Sequence, residues 1–338
     1  MEKNLPVEAP GLHQSLPAGR CKACGSADLE RFVDVNDRFS LVECRNCRLV
    51  ATFPVLTDAE IADYYPASYY GKSNRRFNLL FERLIPVFRS RRRRAIERFA
   101  RAGRLLDVGC GRGLLPALMR ARGWEVHGVE FSDWAARHAR EELHVPVFVG
   151  DFLESPYPPG FFDVVVFWHV LEHVRDPVAA LRKSREILKP GGLLVVAVPN
   201  LESYQAVATR RHWFHLDVPR HYHHFRLGVL RRILEESGFS VESVSHFSLE
   251  YNPYGWIQSI LNQMGFQENL LYDTLKNKSA RTIKSPARAH PVQFFLMLLA
   301  LVFVVPLSFV LFLLEVVVRR GGTIELYARS DREPNRSQ

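Results

Sequence analysis

Arg104-Leu-Leu-Asp-Val-Gly-Cys-Gly-Arg-Gly113 (RLLDVGCGRG) is an apolar run that enters a glycine-rich turn, with Asp107, Gly109, Gly111 and Gly113 spaced two apart. Glycines here let the chain turn sharply and bring its backbone close to a ligand before a helix begins. The dinucleotide fingerprint G-x-G-x-x-G places its third glycine one residue later, which argues against a nicotinamide cofactor. Further apolar strands read outward at 125–130, ending in Glu130, at 145–150, ending in Gly150-Asp151, at 162–168 and at 192–198. Amphipathic stretches such as 175–188 (RDPVAALRKSREIL) separate most of them. Apolar strands alternating with helices predict an α/β Rossmann-like, doubly wound sheet that binds ligands beyond the carboxyl ends of its strands.

The 338-residue length suggests about two domains. With 47% apolar and 24% charged residues, the chain can bury a sizeable core, which excludes wholesale disorder. The net charge of +9 favours an anionic partner or surface. Five cysteines are too few for a disulfide scaffold. No apolar run follows the first positive charges (MEKNLPVEAPGLHQS), so no signal peptide is expected.

Cys21-x-x-Cys24 and Cys44-x-x-Cys47 are separated by 19 residues. Two such pairs close a four-thiolate tetrahedral site, so a structural zinc ribbon is expected over 20–55, after a flexible tail over 1–19. A redox C-x-x-C needs only one pair. Residues 56–102 read as a helical, Arg-rich connector with Tyr64, Tyr65, Tyr69 and Tyr70 at its start and nine arginines between Arg83 and Arg104. Such a run suits an anionic membrane surface or a solvated helix face, and nucleic acid less well.

The ordered set Asp107–Gly113, Glu130, Gly150-Asp151, His169-Val-Leu-Glu172-His173 with Asp176-Pro177, Leu188-Lys-Pro-Gly-Gly192 and Pro199-Asn200 resembles class I S-adenosylmethionine-dependent methyltransferases over about 103–250. The cysteine pairs and Trp213–Phe225 (WFHLDVPRHYHHF) resemble a bacterial subgroup associated with sugars, polysaccharides and lipids. The resemblance implies that Asp107, Gly109, Cys110, Gly111 and Gly113 hold the methionine end of the cofactor and that Glu130 takes the ribose hydroxyls. It also implies that Phe131 packs on the adenine, that Asp151 accepts from the adenine amino group with Phe152 beside it, and that Trp168 and His169 face the sulfonium. Trp213, Asp217 and Arg220 are the expected acceptor-side residues. His221 is favoured as general base, with His169 next, because imidazole titrates near neutrality.

Two further readings compete locally. His169-x-x-Glu172-His173 matches an inverted zinc-protease motif, but that motif needs both histidines on one helix, and here the first ends an apolar strand. His212, His215, His221, His223 and His224 crowd thirteen residues, and a lid over the acceptor pocket explains them more economically than a metal site.

Phe294–Val318 is a 25-residue apolar run, interrupted only by Pro306, Ser308 and Glu315, and long enough to span a bilayer. The resemblance places strands six (239–249) and seven (322–329) in one antiparallel pair, so both ends of the run lie on one side of the membrane. A re-entrant or interfacial hairpin broken near Pro306 is therefore expected within a membrane-associating insertion (251–320), before a final strand over 321–330, and its rival is an ordinary span with 322–329 outside the sheet. Flanking Lys276, Lys278, Arg281, Lys284, Arg288, Arg319 and Arg320 suit the cytoplasmic face. The expectation is a methyltransferase acting on a glycan or lipid-linked acceptor at that face. Its rivals are a nucleic-acid-binding protein with a degenerate fold and a membrane adaptor.

Overall fold

The computed structural model describes residues 19–64, 79–276 and 290–331. The tail over 1–18, Tyr65, Tyr69 and Tyr70, and the basic residues Lys278 to Arg288 lie outside them.

Seven strands form the central sheet: β4 (Arg104–Val108), β5 (Glu125–Glu130), β6 (Val147–Val149), β7 (Phe162–Trp168), β8 (Leu188–Pro199), β10 (Phe239–Ser245) and β11 (Thr323–Ser330). Their order is β10-β11-β8-β7-β4-β5-β6. β4 pairs in parallel with both β5 and β7, so the winding reverses beside β4, where open α/β sheets form their ligand crevice. β11 lies between β8 and the edge strand β10 and runs antiparallel to both, the orientation expected for a seventh strand.

Period-two side-chain alternation makes two cores. Leu106, Val165, Phe167, Leu194 and Val196 face one side, and Leu105, Val164, Val166, Leu193 and Val195 face the other. Asp107 and Trp168 share the second face with Leu105 and Val166. Helix α2 (Leu79–Glu97) covers that face through Ala95 and Ile96. Helix α5 (Pro177–Ile187) starts where the Asp176 side chain accepts from the Ala179 N–H at 2.9 Å and Pro177 supplies a preset φ at the first helical position.

The cysteine-rich segment forms β1 (Leu29–Asp34), β2 (Ser40–Cys44) and β3 (Val50–Phe53). Its sheet has a fourth strand, β9 (His223–His224), from the histidine-rich segment, paired antiparallel to β3. The ribbon and the predicted lid therefore share one sheet.

Two expectations change. The arginine run is not a free basic face. Arg89 and Arg92 are paired with Glu250, and Arg91 donates to Glu325 at 2.8 Å, so α2 is bolted to the domain by three of its arginines. The apolar run is not a hairpin. It is one helix, α10 (Pro291–Val317), continuous through Pro306. Met297, Val304, Ser308, Phe312 and Glu315 form a buried stripe along almost its whole length. The stripe packs on α8 (Asn252–Gln263) and, through Glu315, on Gln205 in α6 (Tyr204–Thr209). Half of the circumference stays exposed and apolar, including Phe295, Leu299, Val302, Phe303, Val310 and Leu313.

Candidate active site

The glycine loop is shaped by close approaches. Gly109 has φ +69, and a Cβ there would lie 2.4 Å from Val170 Cγ2. Gly113 caps α3 (Leu114–Arg120) at φ +74, and its Cβ would meet that of Ala139 at 2.6 Å. Gly111 (φ +53) has nothing within 4 Å of where a Cβ would stand, so a ligand can approach the loop closely there, while its N–H is held by Glu130. Cys110 turns its thiol inward against Gly128, leaving only its backbone at the loop.

Glu130, at the end of β5, is buried and accepts from Gly111 N–H at 2.8 Å and Ser132 N–H at 3.0 Å. The Phe131 ring beside it is 80% exposed. Asp151 is exposed and caps a short turn by accepting from Leu153 N–H at 2.8 Å. Phe152, expected beside the adenine, is instead buried edge-on against Phe167 in the core. Burial pushes the Asp107 carboxyl up to about 7, against the pull of Arg92 and Arg89.

Arg92 is a functional candidate that the sequence alone did not single out. Its guanidinium lies 4.6 Å from the Trp168 ring centroid, and it also bonds Glu250 and the Tyr251 hydroxyl. Its Nε and the Trp168 indole N–H are buried with no partner among the described residues. An inward arginine cannot be told from its neighbours in an RRRR run, because only docking of α2 selects the buried one.

An open glycine backbone, a carboxylate at each of the first two strand ends, an exposed aromatic ring and unpartnered buried donors together fit S-adenosylmethionine, which has a charged amino-acid end, a ribose and an adenine.

On the acceptor side, His169 sits just past β7 at φ +55, a strained conformation for a residue with a Cβ. Its Nδ1 lies 3.1 Å from Glu172 Oε1, its Nε2 3.4 Å from Thr323 Oγ1, and its ring 3.8 Å from that of Tyr251, centroid to centroid. Burial, aided by Arg92, lowers its pKa to about 3, so it is neutral at pH 7. His221 is buried, with Nδ1 3.0 Å from the His215 carbonyl and Nε2 3.7 Å from Asp217 Oδ2. Asp217 and Arg220 pair with each other. Burial opposes ionisation of Asp217, but Arg220 and His221 outweigh it and hold its carboxyl below the usual range. Trp213, expected to meet substrate, instead fills the core between ribbon and lid, and its indole N–H donates to Gln205 Oε1 at 3.1 Å. The protease reading fails because His169 directly follows a strand, not on a helix with His173, and is not among the residues whose ligand atoms converge with those of His173.

The four cysteine sulfurs lie within 4.8 Å of one another, with Cys21 and Cys47 at 3.3 Å and Cys24 and Cys44 at 3.5 Å. Tetrahedral zinc with about 2.3 Å Zn–S bonds needs sulfurs about 3.8 Å apart, so the donor set fits zinc.

A methyltransferase-domain family model matches residues 80–244. A ubiquinone biosynthesis O-methyltransferase from Nitrosospira multiformis is 31% identical over 179 residues, 49% of this chain and 74% of that protein. The chain belongs to the class I S-adenosylmethionine-dependent methyltransferases. A second ubiquinone biosynthesis O-methyltransferase, from Alkalilimnicola ehrlichii, is 32% identical over 55% of this methyltransferase and 75% of its own length. A solved methyltransferase from Archaeoglobus fulgidus is 22% identical, with a TM-score of 0.46 over 72% of this chain and 93% of that one.

Proposed function

We propose that this methyltransferase transfers a methyl group to a hydroxyl of a lipid-linked acceptor, a glycan or isoprenoid conjugate, held at the cytoplasmic face of a membrane. One observation carries the reading. His169 Nε2 is 3.4 Å from Thr323 Oγ1, six residues past the end of α10, so the candidate base stands at the foot of the apolar helix. The exposed half of α10 suits a helix lying in the membrane plane. A spanning orientation would drag α8, with its buried Gln258 and Asn262, into the bilayer.

Bound S-adenosylmethionine supplies an electrophilic methyl carbon with a neutral thioether as leaving group. Asp107 and Arg92 orient its charged amino-acid end, Glu130 its ribose, and Phe131 and Asp151 its adenine. The chain must align the acceptor oxygen with that methyl and exclude water. Glu172 holds His169 as the Nδ1–H tautomer, leaving the lone pair on Nε2. With burial holding its pKa at about 3, that nitrogen takes the proton only as the oxygen–carbon bond forms, the carbon–sulfur bond breaks and the alkylated oxygen becomes strongly acidic, and Glu172 then stabilises the imidazolium. His169 is therefore favoured over His221 as base, and Asp217 and Arg220 shape the lid. Zinc in the four-cysteine site would hold the ribbon together, since so small a sheet has little core of its own. Relatives named ubiquinone biosynthesis O-methyltransferase support an oxygen acceptor. The inward pairing of Arg89, Arg91 and Arg92 removes much of the case for nucleic acid.

The test is incubation of membranes from cells lacking the enzyme with methyl-labelled cofactor and either wild-type protein or His169→Gln. Label entering an organic-extractable, base-stable species with wild type alone is the expected result. Label confined to water-soluble products would overturn the lipid-linked assignment.

A further inference from the structure

A basic pocket lies at the β10 edge of the sheet, where α10 ends. It encloses about 420 Å³ and is lined by Arg231 of α7 (Leu227–Glu236), by Arg319, two residues past α10, by Ser243 and Ser245 of β10, and by His246, which directly follows that strand. Two close contacts fix this corner. A Cβ on Gly321 would stand 2.1 Å from the His246 carbonyl oxygen, so the chain leaving α10 lies directly on the end of β10. The rings of Phe247 and Phe312 meet with centroids 5.2 Å apart, which ties the same corner to the helix.

The positive charges here are unmatched. Arg231 and Arg319 make no side-chain hydrogen bond or ion pair among the described residues, whereas Arg91 and Arg329 are paired with Glu325 and Glu242. Glu242 is the carboxylate in the pocket wall, and Arg329 holds it at 3.1 Å, so it does not neutralise the other two. His246 supplies an independent observation. The residue is buried, and its Nδ1 is enclosed with no partner among the described residues, so the Nε2 edge is the one that faces the pocket. A buried N–H without an acceptor is costly, so the proton belongs on Nε2, which is then a donor pointing into the pocket. Burial, with Arg319 and Arg320 adding to it, lowers the His246 pKa and keeps the ring neutral at pH 7.

Two guanidinium groups, an imidazole N–H and two serine hydroxyls form a donor set for a phosphate, whose several oxygens match the guanidinium fork. The wall beside them is apolar. Val316 and the exposed Phe247 line the pocket, and Val317 and Val318 continue outward on the exposed side of α10. A free inorganic anion leaves that wall uncovered, whereas a phosphate carrying a hydrocarbon chain covers both parts.

We propose that Arg231, Arg319 and His246 bind the phosphate of a lipid whose chain runs along the exposed face of α10. Asn252 joins this pocket to the candidate base. Its side chain donates to the His246 carbonyl at 3.0 Å and accepts from Thr323 N–H at 3.0 Å, and Thr323 Oγ1 stands beside His169 Nε2. A phosphate held here presents the rest of a lipid-linked acceptor to that base. The phosphate site stands on the geometry of the pocket, and only this presentation rests on the methyltransferase reading proposed above.

Full-length protein is titrated calorimetrically with two soluble probes, geranyl diphosphate and dihexanoyl phosphatidic acid, each below its micellar concentration. Saturable binding of at least one is expected. Arg231→Gln/Arg319→Gln should weaken it about 30-fold, since each arginine set against anionic headgroups is worth about fivefold. Arg101→Gln/Arg182→Gln removes the same charge from exposed positions elsewhere and should leave the affinity unchanged. A cooperative thermal transition reports folding in each variant. Tighter binding of geranyl diphosphate assigns the site to the phosphate of the lipid-linked acceptor, and tighter binding of phosphatidic acid assigns it to a bilayer phospholipid. Failure of both probes to bind, equal affinity in the folded pocket variant, or equal weakening in the charge-matched control would overturn the proposal. Probe binding without methyl transfer to any lipid would strike at the proposed acceptor instead and leave the pocket standing.

Discussion

The Thr52 hydroxyl donates to the main-chain carbonyl of His221 at 2.6 Å, across 169 residues of sequence. The same oxygen accepts from His224 Nε2 at 3.0 Å, and Thr52 N–H donates to the Tyr222 carbonyl at 3.0 Å. One ribbon residue thus fixes three lid positions, with Glu43–Arg226 and the Cys47 carbonyl–Arg232 contact alongside. The ribbon is the wall on which the histidine-rich segment is mounted. Thr52→Ala leaves a buried carbonyl and a buried imidazole without their partner, at about 1–3 kcal/mol. The expected outcome is a raised acceptor KM with unchanged affinity for S-adenosylmethionine in calorimetry. If the four-cysteine site holds zinc as proposed, chelation should act in the same direction, and equal loss of both affinities would show that the ribbon supports the whole fold.

Asp107 links cofactor affinity to pH. Its folded pKa of about 7 is above the ordinary value for Asp, so the cofactor-free protein binds more protons than the unfolded chain between about pH 4 and 7. Its contribution to stability therefore falls as pH rises through that window. If Asp107 holds the cationic amino-acid end of the cofactor as proposed, binding should tighten as pH rises and level off above about 7. Below that the dissociation constant should rise roughly tenfold per pH unit. Calorimetric titration from pH 5.5 to 8.5 checks this, with Asp107→Asn expected weak and flat. A flat wild-type profile would refute it.

Arg92→Ala removes one of two arginines that neutralise Glu250 inside the domain. The Arg92 guanidinium is buried but Glu250 only partly so, and Arg89 remains, so the loss should be about 1–3 kcal/mol, short of the 3–5 kcal/mol of a fully buried pair. Thermal unfolding should register that loss, and Arg92→Ala/Glu250→Ala should recover part of it as a positive coupling. Burial works against the Glu250 charge, but Arg92 and Arg89 overcome it and hold the pKa down at about 2. The pair's contribution is therefore present above about pH 4.5 and fades as pH falls toward 2.

The exposed half of α10 gives a membrane prediction with a built-in control. Val302→Glu/Phe303→Glu/Val310→Glu places charge on the outward face and leaves the buried stripe of Met297, Val304, Ser308 and Phe312 intact. Flotation with anionic vesicles should be lost while cofactor binding persists. Cysteines introduced at Val292 and Val317, near the two ends of the helix, should both react with an impermeant maleimide added outside sealed proteoliposomes. Reaction at one end only would establish a span in place of an in-plane helix.

Strand and helix positions in the central domain, the glycine turn, the cysteine site and the existence of an apolar helix were all legible in the sequence. Each depends on a local rule: side-chain period, the need for positive φ at a turn, ligand spacing, or the length of an apolar run. The continuity of α10 through Pro306 was not legible, because packing of its buried stripe on α8 is a tertiary contact. What only the tertiary structure decided is which of several like residues faces inward. One arginine of a basic run covers Trp168, Trp213 belongs to the core, and Phe152 turns away from the crevice. The convergence of Arg231 with His246 and Arg319, and the bond from Thr52 to the lid, join segments far apart in the chain. No local propensity encodes such pairings. They are set by how the ribbon, lid and sheet pack, where burial and hydrogen-bond satisfaction select one partner among many.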